Sequence, residues 1–272
     1  MATRRTLLLA ALLFVCGAMP AESVELRALY LYPSVRQFNW EESDSSGRLL
    51  KEQGVIYGAG VVVAIDLIRT GAGALTATAK GELSGGLVDY DGQTQPPSSI
   101  PLQTDVTYLG AKEELQLGWT VAQGSLLLQP FAGVGYRWWL RDLHDTVASN
   151  GTTHVQGYTE EWQMLYGRTG LAAEYRLSEN WRLFGATGAT YPFYTGNSVD
   201  VAGSGDITLK PESRWSPFGE LGLRYKNFRP SIFYEGVRLG RSPLARVNAN
   251  NAFYQPDSRE DVIGVDLAWC FR

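Results

Sequence analysis

The sequence predicts an all-β protein: a closed antiparallel transmembrane β-barrel of about ten strands, with eight or twelve as the alternatives. Three observations predict it. Apolar residues alternate with small or charged ones along most of the chain, which is the period of a strand. The segments between alternating runs are by turns short and long. After the first 21 residues, charged residues interrupt every run before it reaches the roughly 18 apolar residues a membrane helix needs.

Those first residues, MATRRTLLLAALLFVCGAMPA, read as a secretory signal peptide. Arg4 and Arg5 form its positive start, and Leu7 to Val15 its short apolar core. Cleavage is expected after Ala18 or Ala21, leaving 22–272 as the barrel. A lipoprotein site ending at Cys16 is opposed by bulky Phe14 and Val15 before it. Loss of Cys16 leaves Cys270 alone, so no disulfide closes within the chain. Cysteine clusters of metal-site spacing are absent, and the histidines are two, His144 and His154. No metal and no cofactor is therefore expected. The formal charge of -4 opposes a nucleic-acid partner, which needs a basic surface.

Ten alternating runs follow in order, near 24–41, 50–69, 74–90, 104–121, 126–142, 158–177, 181–196, 213–226, 228–242 and 258–271. The first bends into the second around SDSSG. In the second, Val55, Tyr57, Ala59, Val61, Val63 and Ile65 share a face, with Gly58, Gly60, Ala64 and Asp66 between them. The third rises from Leu75 toward the sequence VDYDG. In the fourth, Leu109, Leu115, Leu117, Trp119 and Val121 oppose Lys112, Glu114, Gln116 and Thr120. In the fifth, Leu128, Pro130, Ala132, Val134, Tyr136, Trp138 and Leu140 oppose Gln129, Phe131, Gly133, Gly135, Arg137, Trp139 and Arg141. In the eighth, Pro217, Leu221, Leu223 and Tyr225 oppose Glu220, Gly222 and Arg224. The last run, VIGVDLAWCFR, sets Ile263, Val265, Leu267, Trp269 and Phe271 against Gly264, Asp266, Ala268 and Cys270.

An apolar face opposite a face of glycine and charge suits a wall between lipid and lumen. A hydrophobic fraction of 44% with a mean hydropathy of -0.14 fits, since a barrel hides its lipophilicity in alternation. Short turns at 70–73, 122–125, 178–180 and 226–227 belong to the periplasmic side. Long connections at 91–103, 143–157, 197–212 and 243–257 belong to the external side, and both termini are periplasmic. Several runs exceed the roughly 10 residues a tilted strand needs to cross, so the barrel should stand above the membrane. Trp119, Trp138, Trp181, Trp215, Trp269 and Phe271 read as interfacial girdle.

The lumen face carries Lys80, Glu82, Lys112, Glu114, Arg137, Arg141, Arg168, Glu174, Arg176, Glu220, Arg224, Glu235 and Asp266. Charges in so narrow a space should pair, and a filled interior opposes a wide pore. A small passive channel stays as an alternative. The glycine spacing at Gly133 and Gly135 lies within a strand and precedes no helix, so it is no nucleotide motif.

The end of the chain is similar to the C-terminal assembly signal of outer-membrane barrels, carried by Gly264, Leu267, Trp269 and Phe271, with Arg272 an added residue. VDYDG, with Asp89 and Asp91, resembles the top of the third strand of the omptin family of outer-membrane proteases. Tyr166 to Asp200 is similar to that family's sixth and seventh strands, and FNWEE, Phe38 to Glu42, to its first hairpin. The resemblance implies a ten-stranded barrel with an Asp-x-Asp pair facing an Asp-x-His pair that activates water, the imidazole acting as general base. Asp89 and Asp91 match the first pair and Asp200 the aspartate of the second. Ala202 stands where the histidine belongs. Asp142-x-His144 in RDLHD has the right internal spacing on a different loop. Alternation from Leu75 puts Asp89 and Asp91 on the lipid side, unless a bulge at Gly85-Gly86 turns them inward. Asp-Gly is also plain turn chemistry, and the carboxylates could instead capture a cation with Glu41, Glu42 or Asp200.

The reading is a monomeric, non-catalytic barrel exported to the bacterial outer membrane, its loops serving binding or envelope structure. Its expected partners are outer-membrane lipid, lipopolysaccharide and the barrel-assembly machinery. An omptin-like endopeptidase with a displaced histidine is the alternative.

Overall fold

The computed structural model describes residues 24–94, 99–200, 206–246 and 252–271. Arg4, Arg5, Cys16, the cleavage positions at Ala18 and Ala21, and Ala202 lie outside the described residues. Ten long antiparallel strands close into a barrel: β1 Glu25–Asp44, β2 Gly47–Thr70, β3 Gly73–Gln93, β4 Pro101–Gln123, β5 Leu126–Leu143, β6 Thr159–Arg176, β7 Trp181–Asp200, β8 Ser216–Tyr225, β9 Phe228–Gly240 and β10 Asp257–Cys270. Each pairs with its neighbours in sequence, and β10 pairs with β1 to close the ring. All ten expected strands are present, and all four short turns.

The first hairpin is tighter than the other external connections. Ser45 and Ser46 turn the chain, Asp44 accepts from the Ser46 N–H at 2.7 Å, and Gly47 takes the left-handed φ of +119°. Long connections carry short pairings of their own: Thr146–Val147 with His154–Val155, Ala245–Arg246 with Ala252–Phe253, and Asp206–Leu209 along the end of β7. β1 to β4 run 20 to 24 residues, about twice what a tilted strand needs to cross. The barrel therefore stands tall on the side of the long connections.

Its outer wall is apolar between two aromatic belts. At the short-turn end Trp181 meets Tyr225 at 4.7 Å and Phe228 meets Trp269 at 6.4 Å. Toward the other end lie exposed Tyr57, Phe193 and Trp215, with Tyr191 at 5.0 Å from Trp215. Trp138 departs from a free girdle ring, because its Nε1 donates to Glu161 at 2.9 Å. Leu267, Trp269 and Phe271 face outward and Gly264 inward under the Phe233 ring. The Phe271 N–H donates to the Leu29 carbonyl at 2.9 Å, so the last residues seal the β1–β10 seam. Glu113 is an exception on this wall, an exposed carboxylate between Gly81 and Tyr136 in the ladders.

The lumen is stratified. Nearest the short turns is an open vestibule of about 690 Å³. Above it the charges pair as expected: Arg36 with Glu82 at 2.9 Å, Arg168 with Glu114 at 2.9 Å, Lys112 with both oxygens of Glu235, and Arg137 with Glu260 at 2.7 Å. The glycines of this face make room for rings. A side chain at Gly135 would collide with Tyr166, whose hydroxyl donates to Glu114 at 2.7 Å. Nearest the long connections lies a hydrophobic core built on Phe38, Trp40, Val106, Tyr108, Trp139 and Trp162, covered by Ile100, Ala148 and Val155 of the loops.

Candidate functional site

Asp89 and Asp91 point away from the lumen. They alternate with buried Val88 and Tyr90, whose methyls and ring enter the core. The bulge at Gly85-Gly86, the alternative to strict alternation from Leu75, does not form. The β3–β4 ladder runs unbroken from Gly81 to Asp91, and the β2–β3 register is the same on both sides of the two glycines. Gly86 instead lets the backbones at Val55 and Ile56 come close, so it serves packing without a register change.

On the outer wall Gln53, Asp89 and Asp105 are successive ladder partners across β2, β3 and β4. The His144 N–H donates to the Asp105 carbonyl at 3.0 Å, so the histidine extends the same row onto the strand beyond. Its Nε2 lies 2.9 Å from the Thr107 hydroxyl. Asp91 sits 3.8 Å from Arg48, both more than half exposed. Asp142 accepts from the Thr159 hydroxyl at 2.5 Å. Thus Asp89-x-Asp91 and Asp142-x-His144 share one face, with β4 between them. They do not oppose each other across the mouth, and both pairs are solvent-facing among the described residues.

Asp200 ends β7 four strands away, exposed and paired through its backbone with Asp206. A bulge does occur on this strand. The register shifts where Leu165 pairs with Tyr194 and Tyr166 with Pro192, leaving Phe193 as the extra residue. Past it Thr195, Asn197 and Val199 turn inward, and Asp200 takes the outer parity. His154 is exposed in the long connection after β5. Among the described residues, no group of three or more His, Cys, Asp or Glu is placed to hold a metal ion.

The most ordered polar chemistry lies inside. Arg141, 1% exposed, donates from Nε to Glu52 at 2.8 Å and from Nη1 to Glu160 at 2.9 Å. Glu52 also accepts from the Tyr108 hydroxyl. Trp40 Nε1 donates to Glu42 at 3.0 Å, and Trp162 Nε1 to Glu160 at 2.9 Å. Trp162 stacks on Trp139 at 5.2 Å and meets Trp40 edge-on at 5.4 Å. Gln255, from the last long connection, donates to Glu42 at 2.8 Å and accepts from Asn197 at 3.0 Å. Sequence alternation placed Arg141 and Trp139 here but missed Glu42, Glu52 and Glu160. The available signal was a glutamate two residues from a tryptophan, on the same face, in both β1 and β6.

Burial pushes the Glu42 carboxyl up to about 7, against the pull of Arg141. The unfolded chain releases this proton near 4.3 or so, the folded one near 7. The stabilising contribution is therefore complete below the unfolded value and is lost as pH rises through 7. Denaturant unfolding in vesicles is expected to show lower stability at pH 8 than at pH 5, and Glu42→Gln should flatten that dependence. An unchanged slope in the variant refutes the assignment.

No protein-family model and no curated protein matches the chain. Among solved structures, the outer membrane protease OmpT from Escherichia coli is similar with a TM-score of 0.55 at 14% identity, over 92% of this chain and 99% of that one. The fold is that of an outer-membrane barrel. Looser likenesses are the transport unit of the autotransporter AIDA-I from Escherichia coli, TM-score 0.42 at 8% identity over 89% and 90% of the two chains, and a major outer membrane protein from Thermus thermophilus, TM-score 0.39 at 13% identity over 90% and 100%.

Proposed function

We propose that this chain is a monomeric, non-catalytic barrel of the bacterial outer membrane, delivered by its leader and assembled through its last strand. Its outer wall takes lipid and, at the external belt, lipopolysaccharide, and its external surface serves binding or envelope structure. The packed outer half of the lumen carries this reading. Trp40, Trp139 and Trp162 fill the section where a channel would need water. The placement of Asp89, Asp91, Asp200 and His144 on convex, solvated wall supports the non-catalytic part, because water activation needs a base held against a bound substrate.

Two measurements on protein shown folded by its heat-dependent gel mobility test the reading. In planar bilayers, no stepwise conductance is expected. With a quenched peptide library and added lipopolysaccharide, no cleavage is expected. Steady conductance would establish the channel alternative. Cleavage abolished by His144→Ala would establish the endopeptidase alternative on the Asp89–Asp105–His144 row.

A further inference from the structure

The vestibule at the short-turn end carries an arrangement that neither the lipid-facing wall nor the packed core explains. Arg176 at the end of β6 and Arg182 at the start of β7 are ladder partners. Arg182 is in turn the ladder partner of Arg224 on β8. Arg229 on β9 occupies the ladder step facing Arg224, next to the pair Tyr225 and Phe228. Four arginines thus stand on four adjacent strands; Arg182, Arg224 and Arg229 line the vestibule, while Arg176 is exposed and lies outside its lining. Their outward neighbours, Tyr175, Trp181, Tyr225 and Phe228, are exposed on the aromatic side of the wall.

Like charges directly opposite one another weaken a sheet. Only part of this row is neutralised. Arg182 pairs with Glu174 at 2.6 Å and Arg229 with Glu220 at 3.3 Å. Arg176 and Arg224 have no carboxylate within ion-pair distance among the described residues. The Arg224 Nε donates to the Lys226 carbonyl at 3.0 Å, which holds the side chain without cancelling its charge. The Arg229 guanidinium carbon sits 3.5 Å from the centroid of the Phe184 ring, a cation–π contact that holds the group at the wall. Above the row the cavity is roofed by the Glu114, Arg168, Glu235 and Lys112 network, so it opens to one side.

We infer that this vestibule is a binding site for a small soluble anion bearing phosphate or carboxylate groups, entering from the periplasmic side. The guanidinium fork matches such oxygens two at a time. A bound anion removes the repulsion that the unpaired Arg224 imposes on Arg182 and Arg229 beside it, which gives the row a reason to exist. A volume of about 690 Å³ suits a metabolite and exceeds what a lone ion fills. A phospholipid headgroup has the same chemistry, but the row points into the lumen while lipid lies against the opposite face of the strands.

Calorimetric titration of the folded full chain in neutral detergent with inorganic pyrophosphate tests this. One saturable site is expected, weakened by added salt. Arg224→Gln and Arg182→Gln should each weaken it about tenfold or more, with gel mobility unchanged. Arg241→Gln, on the external side against Tyr254, should leave it unaltered. No saturable heat, or parent-like affinity in both row variants, overturns the inference. So does binding confined to phosphatidylglycerol vesicles with none to free pyrophosphate, which would assign the row to lipid. None of these outcomes bears on conductance or peptide cleavage, so the site and the proposed function fail separately.

Discussion

Replacing Arg141 with Met is expected to destabilise the folded barrel by about 3–5 kcal/mol, the range for breaking a buried ion pair from one side. The guanidinium touches Glu52, which is fully buried, and Glu160, which is 6% exposed. Without it both carboxylates, and Glu42 nearby, keep their burial and lose their counter-charge. The Tyr108 hydroxyl on Glu52 and the Trp162 indole on Glu160 remain, but neutral donors do not replace a cation. Denaturant midpoints in phospholipid vesicles measure the loss. The double variant Arg141→Met with Glu52→Gln should recover part of it, because one stranded charge is gone. Arg48→Met supplies the contrast. Arg48 lies 3.8 Å from Asp91 with both side chains more than half exposed, and an exposed pair contributes about 0–1 kcal/mol. Equal effects from the two substitutions would refute the placement of Arg141 in a dry lumen.

The wall was legible in the sequence because a barrel strand states its two environments residue by residue. Val134 and Gly135 differ in what they face, and the alternation says so without reference to any other strand. The ten strands and four short turns followed from that rule and from turn chemistry. Register obeys the same rule, and this is why unbroken alternation from Leu75 was right about Asp89 and Asp91 while the Gly85-Gly86 bulge was not. Two glycines permit a bulge; they do not require one when the neighbouring strands fit without it. The bulge that sets the parity of Asp200, at Phe193, has no glycine at the extra position and left no local mark. The interior networks were harder to read because they join strands distant in sequence. Arg137 reaches Glu260, and Lys112 reaches Glu235. Alternation says that each faces inward, while only closure of the ring says which meets which. The arginine row was hidden for the same reason. Arg176, Arg182, Arg224 and Arg229 become neighbours through two tight turns and one long connection.

Replacing Trp162 with Ala should cost about 3–5 kcal/mol, the range for removing a large aromatic from a packed core. The same change at Trp215, 62% exposed on the outer belt, should cost far less. The difference tests where this protein keeps its hydrophobic core. In a soluble sheet protein the apolar face is the buried one. Here most apolar residues face outward to the belt, where lipid replaces water and burial against protein contributes little. Trp162 is the opposite case: it is fully buried, stacked on Trp139, edge-on to Trp40 and bonded to Glu160. Its removal opens a cavity inside the taller, external part of the barrel, and Glu160 loses a donor in the same step. The consequence extends to permeability. If the tryptophan cluster closes the lumen, Trp162→Ala should raise the rate of ion leakage in planar bilayers above that of the parent protein. A variant that loses stability without gaining leakage would place the closure lower, in the charged layer of Lys112, Glu114, Arg168 and Glu235. A variant that loses neither would mean that the external half is held by its backbone ladders alone.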